Sequence, residues 1–118
     1  MLIDYSKMYT ALTSVSDGVE VWRNEIPEGK DLPGVAYINQ SNEVSRRLDD
    51  SIIGVKSEWL IFVLAKSASE AESIAKRFSV LDGDRATFKF MRVGIAEQVE
   101  TQPTQNYEAY SLTIETID

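Results

Sequence analysis

Between Ser57 and Gly83 the pattern of apolar and polar positions changes period, from a continuous apolar run to a helical stripe. Ser57-Glu58-Trp59-Leu60-Ile61-Phe62-Val63-Leu64-Ala65-Lys66 has an apolar centre and polar ends, the pattern of a strand covered on both faces. It turns Trp59, Ile61 and Val63 to one side and Leu60, Phe62 and Leu64 to the other. Ser67-Ala68-Ser69-Glu70 then spells a capping box, a hydroxyl followed three residues later by a carboxylate. Ala68, Ala71, Ile74, Ala75, Phe78 and Leu81 recur at three- and four-residue spacing, so one stripe of the helix faces a core. Asp82-Gly83 stops it. Glu72 and Lys76 stand in the favourable i, i+4 orientation, and Lys76 and Arg77 lie near the negative end of the helix dipole.

The flanking pattern adds one helix and four strands. Asp4 can cap a helix over residues 4–15, in which Tyr5, Met8, Leu12 and Val15 share a side. Val19-Glu20-Val21-Trp22 alternates as a first strand. A loop over residues 23–33, with Pro27 and Pro33, reads as an ordered excursion, because each proline holds the preceding residue extended. Gly34-Val35-Ala36-Tyr37-Ile38-Asn39 is a second strand. The polar stretch 40–51 is either a loop or the tip of a long hairpin leading into the central strand. After the capped helix, residues 86–93 alternate as a strand that Gly94 ends or bulges. Residues 94–106 form a second polar excursion, and residues 107–117 the last strand. There Tyr110, Leu112 and Ile114 face one way, and Ala109, Ser111, Thr113 and Glu115 the other.

The resulting order, α-β-β-β-α-β-β, describes a single α+β domain over residues 1–118. It is a mainly antiparallel sheet of about five strands with two helices packed on one face. The first three strands follow one another directly, so antiparallel hairpin pairing is the expectation for them. Helices on one face cover only one side of the central strand and leave the other to be covered by the chain's own loops or by another protomer.

Composition narrows the chemistry. The 118 residues include no cysteine and no histidine. Disulfides, thiolate metal sites and cysteine nucleophiles are thereby excluded, as are the usual general base and every Ser-His or Cys-His pair. The formal charge of −7 opposes nucleic-acid phosphates, and no basic cluster longer than Arg46-Arg47 offsets it, so sequence-specific nucleic-acid binding is not expected. No apolar run approaches the length of a membrane helix, and Met1-Leu2-Ile3-Asp4 lacks the basic start and apolar core of a signal peptide. The expected setting is a cytoplasm, or a particle assembled there.

The remaining catalytic candidates are acidic pairs. Asp49-Asp50, or Asp82 with Asp84, could hold Mg²⁺ in principle. Yet Asp82-Gly83-Asp84 reads as a helix stop and turn, and Asp49-Asp50 lies in a charged loop. Neither supplies the ligand array of a calcium loop. The glycines assemble no phosphate loop, and Trp22, Tyr37, Tyr107 and Tyr110 read as core or cross-strand aromatics. No cofactor, metal or catalytic residue is assigned.

Taken together, the N-terminal amphipathic helix, Gly18-Val19-Glu20-Val21-Trp22, the loop Ile26-Pro27-Glu28-Gly29-Lys30-Asp31-Leu32-Pro33-Gly34, the strand-to-helix unit from Trp59 to Glu72 and Leu81-Asp82-Gly83 form a recognisable sequence. It resembles the tail-terminator and tail-completion proteins of long-tailed bacteriophages. The resemblance spans roughly residues 5–117, and the strand-helix-Leu-Asp-Gly segment carries most of it. It implies a non-enzymatic virion protein that forms a homo-oligomeric ring, typically of six protomers, on the finished tail tube. Such a ring stops tube polymerisation and offers a surface to the head-tail connector, so the implied partners are the chain itself, the tail tube protein and the connector. A closed ring needs two different, mutually complementary patches per protomer. Arg46, Arg47, Asp49, Asp50, Ile52 and Ile53 are the interface candidates, since both signs of charge stand there beside isoleucines. The same segment reads equally as a solvated hairpin tip. Two other readings stand beside the terminator: a head-tail connector or neck protein, and a small cytoplasmic ligand-binding domain or carboxylate-based enzyme.

Overall fold

A computed structural model describes residues 3–46, 48, 52–101 and 106–118, with the backbone alone at 52 and 53. The elements are α1 (Tyr5–Val15), β1 (Glu20–Arg23), β2 (Gly34–Arg46), β3 (Ile52–Ala65), α2 (Ala68–Arg77), a 3₁₀ turn (Phe78–Leu81), β4 (Phe90–Val93), β5 (Glu97–Val99) and β6 (Glu108–Ile117). The strands form one sheet in the order β1-β2-β3-β6-β4, with β5 also paired to β6. Both helices cover the same face, so the α+β architecture is the expected one.

Local chemistry starts both helices where the sequence places them. The Asp4 carboxylate accepts from the Ser6 amide at 3.0 Å, and the Ser67 hydroxyl accepts from the Glu70 amide at 3.2 Å. Each satisfies one of the amides that a helix start leaves without an intrahelical partner. Ser67→Ala is expected to cost about 1 kcal/mol, and a Tm drop of roughly 4 °C in thermal denaturation checks it.

The first strand pair departs from expectation. β1 and β2 run parallel, Val21 beside Val35 and Arg23 beside Tyr37. Residues 24–33 are therefore a crossover that carries the chain back to the start of β2, not a hairpin turn. The crossover passes over the helix-free face. A Cβ at Gly34 would lie 3.0 Å from Ile26 Cδ1, and Lys30 Nζ stands 5.2 Å from the Trp22 ring centre. The Asn24 amide donates to the Tyr37 carbonyl at 2.9 Å and closes the crossover.

The core lies between the sheet and the two helices. Met8 and Leu12 of α1, Ile74 and Phe78 from α2 and its terminal turn, and Val35, Ile61, Val63, Leu112 and Ile114 of the sheet are all buried in it. Trp59, 1 % exposed, is its hub. Its ring meets Tyr5 edge-on at 5.7 Å, Tyr37 at 6.2 Å and Phe88 at 6.5 Å, while Nε1 donates to the Thr116 hydroxyl at 3.0 Å. Burial of the indole is thus accompanied by satisfaction of its only polar atom. Arg23 stacks on the outer side of Tyr5, its guanidinium carbon 3.5 Å from the ring centre, and ties β1 to α1.

The far margin of the sheet is shorter and more broken than the alternation over 86–93 suggests. Only Phe90–Val93 is a strand, because Phe88 turns into the core beside Trp59. Gly94 then approaches β6 closely: its amide donates to the Thr113 carbonyl at 2.8 Å, and a Cβ there would lie 3.1 Å from that oxygen. The chain resumes pairing with β6 as β5, opposite Ala109, Tyr110 and Ser111. This strand lies inside what the sequence presents as a polar excursion. Asp82-Gly83 does more than stop a helix. The Gly83 amide donates to the Met91 carbonyl at 2.7 Å, and the Asp82 carboxylate accepts from the Val93 amide at 2.9 Å, so the turn closes the outer edge of β4.

Candidate assembly surface

The polar stretch after Asn39 is a strand, not a loop. β2 and β3 pair antiparallel from Gly34 opposite Leu64 out to Arg46 opposite Ile52. β1 flanks β2 only as far as Tyr37, and β6 flanks β3 only from Lys56, with Asp118 reaching Val55. The outer part of the hairpin is therefore a two-stranded arm. It accounts for principal extents of 54 × 24 × 21 Å and a radius of gyration of 15.3 Å, against about 13.5 Å for a compact chain of this length.

The main-chain groups on the arm's outer edge can be assigned. Val55 exchanges both of its backbone bonds with Asp118, at 2.8 and 2.9 Å, on the β6 side. Its cross-strand partner Val44 therefore belongs to a pair without mutual hydrogen bonds, and the Val44 N–H and C=O point outward. By the two-residue period, so do those of Asn42. The register slips by one residue at Gln40, between Asn39 and Ser41. The Asn39 and Asn42 amides clamp this bulge by exchanging hydrogen bonds of 3.0 and 2.7 Å. Among the described residues, no backbone bond reaches the outer edge of β2 from Ile38 to Ser45.

Of the six interface candidates, Arg46 ends β2 with an exposed side chain, and Ile52 and Ile53 open β3 on the other limb of the arm. The hairpin brings Arg46 and Ile52 opposite each other. Arg47, Asp49 and Asp50 lie outside the described residues. Leu48, among them in sequence, is fully exposed. The hairpin also presents a backbone edge, whose signal in the sequence is a polar run long enough for a strand and free of Gly and Pro from Ile38 to Arg46.

Leu60, Phe62 and Leu64, with Ile38 of β2, form a half-buried apolar band on the helix-free face. Ile26 of the crossover covers one end of that face, at Gly34. Toward the arm the same face becomes charged, with Glu58 opposite Glu115, and Arg92 opposite Glu115 on the other side. Several side chains therefore remain only partly covered.

The polar side chains elsewhere explain stability more readily than chemistry. Among the described residues no group of three or more acidic side chains is placed to hold a metal ion. A cavity of about 200 Å³ beside Trp59 is lined by Ile3, Asp4, Val55, Phe88 and Asp118 among others, and the Asp118 carboxylate pairs with Lys7. On α2, Lys76 bonds Glu72 at 2.6 Å and the Tyr110 phenol donates to Glu72 at 3.2 Å. The Lys76 bond holds the Glu72 carboxyl below its ordinary value of 4.5, and the same pairing raises Lys76 above 10.5. Glu72 thus contributes stability above pH 4.5 that fades as pH falls through its lowered folded value. Both groups are solvent-exposed, so the effect is small. Glu72→Gln is expected to flatten the Tm-against-pH curve below pH 4.5 and leave neutral Tm within about 2 °C.

No family model and no curated protein matches the sequence. Among solved structures, the chain is similar to one chain of the virion of a native gene transfer agent particle. The TM-score is 0.59 and the identity 14 %, covering 96 % of this chain and 89 % of that one. The likeness is one of fold, and it runs through almost the whole of both chains.

Proposed function

We propose that this chain is a structural protein of a phage-type virion, a tail terminator whose copies close into a ring on the end of the tail tube. The observation that carries the reading is the end-to-end fold similarity to a virion chain, at a TM-score of 0.59. The resemblance of the strand-helix-Leu-Asp-Gly segment to tail-completion proteins supports the finer assignment. The body of the molecule is a compact two-layer domain, and the arm gives it the reach to touch a neighbour. The ring acts by occupying the tube end, so that no further tube subunit adds, and by presenting a new surface to the connector. No covalent step is involved.

Two measurements test the reading. Light scattering after size exclusion should find an assembly near 80 kDa, six copies of the 13.3 kDa chain. Electron microscopy of particles made without the protein should show overlong tubes. Tails of normal length that fail to join heads would instead assign it to the neck, and a monomer at all concentrations with no tail binding would overturn an assembly role.

A further inference from the structure

Resting on the ring reading, we propose that copies join by strand addition: the free outer edge of β2 on one copy pairs with the outer edge of β5 on the next. The occupant of the arm's edge is thus a second copy of this chain.

Three observations lead there. First, the margins of the sheet are not equivalent. The β4 edge is closed by the Asp82-Gly83 turn, and β1 spans only Glu20–Arg23. The edge of β2 over residues 38–45 is long, and its Val44 and Asn42 peptide groups point outward. Among the described residues, no backbone bond reaches the outer side of β5 either. An exposed long edge is a template for pairing with another chain, and natural proteins seldom leave one open without use.

Second, the charges permit this pairing and oppose its rivals. Over residues 39–56 three basic side chains balance three acidic ones, so the chain's net −7 resides in the body. The segment 94–108 contains Glu97, Glu100 and Glu108 and no lysine or arginine. Two β5 edges would repel, whereas a neutral arm against an acidic edge does not.

Third, the two edges lie on opposite margins of one sheet. Joining one to the other is a head-to-tail contact, the kind that closes into a ring, whereas two β2 edges would give a closed dimer. Ser41, Ser45, Glu97 and Val99 all sit on the helix-free face, so a sheet continued across the junction places them on one side.

The absence of native cysteine makes the test direct. Full-length single-cysteine variants S41C, S45C and E97C are mixed pairwise at assembling concentration and mildly oxidised. A disulfide-linked dimer is expected in the S41C/E97C or S45C/E97C mixture, at least tenfold above either variant alone. Val44→Pro removes an outward N–H while sparing the bonds within the hairpin, and should raise the concentration at half-assembly at least tenfold, with the monomer's circular dichroism unchanged. Val44→Thr should assemble as the parent does. A ring that forms normally with Val44→Pro, or that gives no mixed disulfide, overturns strand addition and leaves the ring reading standing. Self-linked S41C or S45C as the main product overturns the head-to-tail arrangement. A parent chain that is monomeric throughout overturns both.

Discussion

Trp59→Ala is expected to destabilise the fold by about 4 kcal/mol, the upper range for truncating a buried aromatic. That is a large share of the roughly 5–15 kcal/mol available to a domain of this kind. The loss has separable parts. The cavity would open among Tyr5, Tyr37 and Phe88, which approach the indole from α1, β2 and the segment before β4, so one-sided collapse cannot fill it. The Thr116 hydroxyl, buried at the end of β6, would lose its indole donor. Urea denaturation measures the total, and Trp59→Phe should recover more than half of it by refilling most of the volume. Thr116→Val on the parent background isolates the hydrogen bond at about 1 kcal/mol. If Trp59→Ala costs under 1 kcal/mol, the indole is not the hub described.

The second large effect concerns assembly and leaves the fold in place. Excising residues 44–55 and joining Glu43 to Lys56 through Asn-Gly shortens the hairpin to the part the sheet supports. Glu43 and Lys56 face each other in the ladder, and Asn-Gly suits the two-residue turn that would link them. None of the described residues of the removed arm belongs to the buried core, and Val55 ties the arm to the body through its two bonds to Asp118. The shortened chain should therefore melt within about 5 °C of the parent and, on the proposed ring reading, remain monomeric at concentrations where the parent assembles. Size exclusion with light scattering reads the second property, and circular dichroism the first. A shortened chain that still forms rings would show that the arm is not the joining device.

Much of the fold is legible in the sequence because local rules determine it. Asp4 and Ser67 mark helix starts, the stripe from Ala71 to Leu81 marks a covered face, and alternation from Tyr110 to Ile114 marks the last strand. The pairing of β1 is not legible. Whether residues 24–33 turn back or cross over depends on the distant Gly34, Ile26 and Tyr37, and no local period encodes that choice. The outer half of β2 escapes notice for another reason. Both of its faces meet water, so Gln40-Ser41-Asn42-Glu43 carries no alternation to detect. β5 is three residues long and is held by Gly94 against Thr113, a contact between segments well apart in sequence. The candidates around Arg46 fall on the arm, whose exposed edge consists of peptide N–H and C=O, which every residue type supplies alike.

The Asp82-Gly83 turn links two events that would otherwise be independent. Because this turn follows directly on the 3₁₀ end of the second helix and its carboxylate and amide cover the β4 rim, fraying at that helix end uncovers main-chain groups on the sheet. Gentle heating would then give each molecule an extra sticky border, with a different partner geometry from the proposed pairing of β2 with β5. Irregular clumping on warming would begin at this corner, well before the indole-centred interior comes apart.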